Sequence, residues 1–130
     1  MAKLVRKTQP DTQEEDYRAT ARRIAHLASD IKGENIVAYD VEGLTVITDA
    51  FVICTARSEP QMKAIARNIR EGMKEIGRDT LYTEGGFKDS WMVLDFGTII
   101  VHVFRGDARE FYDLDGLWAD SPRIDLGLED

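Results

Sequence analysis

At 130 residues, 43% of them hydrophobic and 32% charged, the chain has the length and balance of one globular domain with a single core. A net charge of −7 argues against a protein that binds nucleic acid by neutralising phosphates, and no apolar run approaches the roughly 18 residues that span a bilayer. The single cysteine, Cys54, excludes an internal disulfide and suits a reducing cytoplasm.

The charge is uneven. Residues 107–130 carry two basic and eight acidic side chains, against seven basic and five acidic in residues 1–32. A chain of this kind working near RNA is expected to grip a basic protein there rather than the phosphates, and no sequence-specific nucleic acid is expected as a partner. The N-terminal residues include Lys3, Arg6 and Lys7 but no apolar core with a small-residue cleavage site, so they do not read as a secretory signal.

Residues 1–10 read as a flexible leader ending at Pro10. Asp11 or Thr12 can cap a first helix, Thr12 and Glu15 standing at capping-box spacing. Tyr17, Ala21, Ile24, Ala28 and Ile31 follow as one apolar stripe, and Gly33 is expected to end the helix. Asn35–Asp40 predicts a strand, Glu42–Asp49 a turn with room for a short strand, and the apolar run Ala50–Thr55 a central strand. Ser58 and Gln61 form a second capping box, with Pro60 tolerated in the first turn. Met62, Ile65, Ala66, Ile69, Met73 and Ile76 predict the buried side of that helix, which Gly77 ends. Thr80–Thr83 is a weak strand, followed by the Gly85-Gly86 loop.

Trp91–Phe96 and Ile99–Phe104, separated by Gly97 and Thr98, predict an antiparallel hairpin whose second strand is buried on both faces. Asp107 and Glu110 open a short helix over Ala108–Leu114 that stops at Gly116. Residues 119–130 read as an acidic tail behind a single domain spanning 11–118. The fold class is therefore α/β, a mixed sheet of about five strands flanked by helices.

Few residues point to catalysis. Asp95-Phe96-Gly97 matches the kinase D-F-G triplet, but the glycine-rich loop, strand lysine and H-R-D loop of kinases are missing, and a turn explains the triplet. Cys54 and His102 lie inside apolar runs, which favours structural roles over a nucleophile and its base. His26, off the helix stripe, reads as solvated. Two histidines and one cysteine without ligand spacing do not make a zinc site. Asp40, Asp49 and Asp95 lie near strand ends and could gather around magnesium in a metal-dependent nucleotidyltransferase or nucleotide-binding enzyme, the alternative function. No phosphate-cradling motif accompanies them.

Trp91 opens a strand directly after a polar loop, either folded into the core or serving as the anchor of a binding surface. Strand alternation puts Trp91, Val93 and Asp95 on one face, and Met92 and Leu94 on the other. Glu84 and Asp89 are acidic, Phe87 apolar, and an aromatic anchor with acids around it suits a basic protein partner.

Three stretches in order, D-A-F-V-I-C-T-A-R-S-E-P-Q, E-G-G-F-K-D-S-W-M-V-L-D-F-G-T-I-I-V-H-V-F and R-E-F-Y-D-L-D-G-L-W, closely resemble the ribosomal silencing factor family, RsfS or Iojap. The resemblance runs from about Ile24 to Trp118. It implies a nucleotidyltransferase-like fold without catalysis or cofactor, so that no enzyme is expected. It further implies a translation repressor that binds ribosomal protein L-fourteen on the large ribosomal subunit and blocks joining of the small one, with a homodimer possible. A role confined to ribosome assembly is a weaker option. The family's binding surface maps to Trp91, Asp95 and Phe96, while Val93, Glu84 and Asp89 join it from strand alternation and charge. Ala50 stands where the family often has tyrosine.

Overall fold

The computed structural model describes residues 17–86 and 89–128, so the leader, the Thr12–Glu15 capping box, Phe87 and the last two acids lie outside the described residues. Helix α1, Tyr17–Asp30, buries Tyr17, Ala21, Ile24 and Ala28 along the expected stripe, with Ile31 partly buried beyond its end. It closes one residue earlier than expected. Lys32 takes the left-handed place (φ 67°), and the Gly33 N–H donates to Ala28 O at 2.9 Å.

Helix α2, Glu59–Lys74, starts as its capping box dictates, Ser58 Oγ accepting from the Gln61 N–H at 3.2 Å. Met62, Ile65, Ala66, Ile69 and Met73 are buried. Ile76 lies past the helix and is exposed, so it leaves the expected stripe. Gly77 (φ 79°) ends the turn, and the Arg78 N–H reaches back to Met73 O at 3.0 Å.

Among the described residues five strands, β1 (Glu34–Asp40), β2 (Ala50–Ala56), β3 (Tyr82–Glu84), β4 (Trp91–Asp95) and β5 (Ile99–Arg105), form one sheet in the order β1-β2-β5-β4-β3. Only β2 and β5 are parallel; the other pairs are antiparallel. β5 is the central strand and β2 lies beside it, which is why both runs are apolar apart from Thr55 in β2 and His102 and the terminal Arg105 in β5. Residues 41–49 form no strand, only a bridge between Glu42 and Thr45. The β4–β5 turn explains the D-F-G triplet: Gly97 has φ 91°, and Asp95 Oδ1 accepts its N–H at 2.8 Å.

Helices α1 and α2 cover one face of the sheet, packing on Val52, Cys54, Leu94, Phe96, Val101 and Val103. The opposite face carries a second cluster of Tyr39, Phe51, Ile53, Ile100 and Phe104. Over it lie two short helices, α3 (Ala108–Tyr112) and α4 (Leu114–Leu117), where one helix was expected. Asp113, left-handed at φ 52°, breaks them apart and caps α4 by accepting the Gly116 N–H at 3.0 Å. Gly116 therefore sits inside α4 rather than ending α3. Trp118 closes the cluster with its ring 5.3 Å from Phe51.

The segment expected as an acidic tail packs into the domain instead. The Asp40 N–H donates to Pro122 O at 2.8 Å, the Ile124 N–H donates to Ala38 O at 3.0 Å, and Ile124 and Leu126 are buried with the helix-side core. His26 is exposed but not merely solvated, since its Nε2 lies 2.9 Å from Leu126 O.

Candidate protein-binding surface

The strand order leaves the β4–β3 half of the sheet open on the face away from α1 and α2. In register, Tyr82 pairs with Asp95 and Glu84 with Val93 across β3–β4, while Trp91 pairs with Phe104 and Val93 with His102 across β4–β5. Alternation along the strands then gathers Tyr82, Glu84, Trp91, Val93 and Asp95 on one face. Tyr112 reaches them from α3, its ring 4.5 Å from that of Trp91.

Trp91 belongs both to the core and to the surface. Its indole stacks on Phe104 at 5.2 Å and donates its N–H to His102 Nδ1 at 3.0 Å, yet the residue is only half-buried. A groove of about 360 Å³ opens beside it, lined by Glu84, Gly85, Trp91, Val93 and Tyr112. Two aromatic rings next to an exposed carboxylate can hold a cationic side chain, through the ring faces and the charge together. Gly85 makes the approach of the loop possible: its φ is +78°, and a Cβ there would run into Trp91 O.

The other expected contacts divide. Val93 and Asp95 are half-buried on the open face, and Glu84 is exposed on it. Asp89 is exposed in the loop, where its Oδ2 accepts the Gly86 N–H at 2.8 Å. Phe96 is a correction. It is buried among the helix-side residues, on the face opposite Trp91, and offers a partner nothing. Tyr82 and Tyr112, both exposed, were missed; Tyr82 precedes Glu84 by two residues and so shares its face, whereas Tyr112 joins only through tertiary packing.

Catalytic alternatives find little support. Cys54 and His102 lie on opposite faces of the sheet, and burial pushes the Cys54 thiol up to about 12. Burial also lowers His102 to about 4, leaving a neutral imidazole. Asp40, Asp49 and Asp95 sit along the same sheet end but do not converge. Asp40 accepts from the Tyr17 hydroxyl and Arg18 Nε, both at 2.9 Å, Asp95 holds its turn, and Asp49 is buried. Among the described residues no group of three metal-ligating side chains forms, and no helix is long and apolar enough to cross a membrane.

The strand order and the open aromatic–acidic face define a mixed α/β domain with one uncovered sheet edge. The family model "Ribosomal silencing factor during starvation" matches residues 14–130, and the chain belongs to that family. The match includes the C-terminal segment packed on β1. The chain is similar to a ribosomal silencing factor of Bacillus subtilis, 41% identical over 105 residues (80% of this chain, 89% of that protein). It is also similar to one of Haemophilus influenzae, 44% identical over 89 residues (68% and 87%). A crystal structure of a Chromobacterium violaceum protein superposes with a TM-score of 0.72 at 31% identity, covering 81% of this chain and 88% of that one. The relatives are named as silencing factors rather than as enzymes.

Proposed function

We propose that this chain represses translation in the cytoplasm by docking on the large ribosomal subunit through ribosomal protein L-fourteen, so that the small subunit cannot join. The observation that carries the proposal is the half-buried Trp91, held against Tyr112 beside the exposed Glu84. Such a surface suits a basic protein, and family membership supports a ribosomal one. A second copy of the chain could occupy the same face as a homodimer. Docking and steric block need no cofactor.

Glu84→Lys tests the docking with the fold left intact, because Glu84 is exposed on an edge strand. The variant and Trp91→Ala should both lose co-sedimentation with purified large subunits. Retention of wild-type co-sedimentation by both, with circular dichroism unchanged, refutes the surface.

A further inference from the structure

We infer that His102, in its neutral tautomer with the proton on Nε2, is the positioning residue that sets the orientation of Trp91 on the open face. The inference rests on the proposed docking surface and names what holds its anchor in place.

The indole has one donor and no acceptor, and the partner of that donor fixes which way a packed, half-buried ring turns its N–H. Here the acceptor is His102 Nδ1, 3.0 Å away. The two residues are diagonal neighbours: His102 faces Val93 in the β4–β5 register, and Trp91 lies two residues earlier on β4. A ring nitrogen that accepts cannot carry the proton, so the proton sits on Nε2. That atom is buried and has no hydrogen-bond partner among the described residues. The rings of Phe51 at 5.5 Å and Phe104 at 6.3 Å surround the imidazole and restrict its rotation.

This arrangement has a consequence for recognition. With its only donor turned inward, the indole presents carbon surface to a partner rather than a hydrogen bond. Contacts through Trp91 are then apolar or cation–π, and the directional polar contacts fall to Glu84, Asp95 and the Tyr112 hydroxyl. Replacing His102 by an apolar ring of similar size frees the indole N–H and allows the ring to turn toward water. Asparagine at 102 places Oδ1 two bonds from Cβ, where Nδ1 stands, and restores an acceptor.

The test begins with the wild-type protein labelled with ¹⁵N. Long-range proton–nitrogen correlations should show Nε2 protonated and Nδ1 bare at pH 7; a proton on Nδ1 overturns the inference outright. His102→Phe should then speed hydrogen exchange at the Trp91 indole and weaken binding to purified large subunits about tenfold, close to what one hydrogen bond carries. His102→Asn should recover most of both effects, while thermal unfolding reports the stability of each variant separately. Unchanged indole exchange in His102→Phe, or unchanged affinity where Trp91→Ala is weakened, sinks the positioning role. If Trp91→Ala itself binds normally, the docking surface is what has failed, and the tautomer and the exchange rates still decide whether His102 holds the indole.

Discussion

Arg109 should be the most costly surface-proximal residue to remove from this domain. Its Nε and Nη2 bind the Asp115 carboxylate at 2.9 and 3.1 Å, and Nη1 donates to Asn35 O at 2.6 Å and to Thr55 Oγ1 at 3.0 Å. Asp115 also accepts from the Tyr39 hydroxyl at 2.9 Å. One guanidinium thus ties α3 and α4 to β1 and β2. Breaking a fully buried ion pair costs about 3–5 kcal/mol, and the 15% and 31% exposure of the two side chains lets water recover part of it. Arg109→Met should therefore lose roughly 2–3 kcal/mol in urea unfolding, or some 6–18 °C of melting temperature in a domain this size.

The pH dependence checks the same contact. The Arg109 hydrogen bonds hold the Asp115 carboxyl below its ordinary value of 3.8. The unfolded chain therefore takes up more protons in acid, so this stabilisation is present above pH 4 and is lost as pH falls below it. In Arg109→Met that segment of the stability profile should flatten. A loss under about 0.5 kcal/mol, the size of an ordinary surface substitution, together with an unaltered acid limb, refutes the clamp.

Other substitutions probe separate features. Lys32→Gly, at φ 67°, should gain about 0.5–1 kcal/mol in thermal unfolding by relieving the left-handed strain; no gain means Lys32 makes compensating contacts. Gly85→Ala should cost roughly 1–3 kcal/mol and also weaken large-subunit binding, because the loop can no longer approach Trp91 O. Cys54 in the native protein should resist alkylation at pH 8 and react once unfolded in urea, since its thiol is buried and raised to about 12. Rapid native labelling would show that β2 opens locally.

Much of this was legible where the signal is local. Ser58, Gln61 and the Met62-to-Met73 stripe specify α2 through capping and helical period alone, and Gly97 between two apolar runs specifies the β4–β5 turn. The parallel pairing of β2 with β5 was not legible, because its partners lie some fifty residues apart and nothing in either run chooses its neighbour. The family resemblance puts Phe96 on the binding face, whereas alternation from Trp91 assigns it to the side of Met92 and Leu94, where the structure buries it. The C-terminal segment was obscured by its charge: Ile124, Leu126 and Leu128 recur at every second residue, a strand-like signal masked by the acids around them. Tyr112 joins the site only because Asp113 breaks the helix behind it, a geometry no period reveals.

The most direct measurement is a subunit-joining assay, with purified large and small subunits mixed at fixed magnesium and resolved by sedimentation. Saturating wild-type protein should hold the large subunits apart from the small ones, and Glu84→Lys should leave joining at the level seen without protein. Normal joining while the wild-type protein remains bound to the large subunit contradicts the steric block.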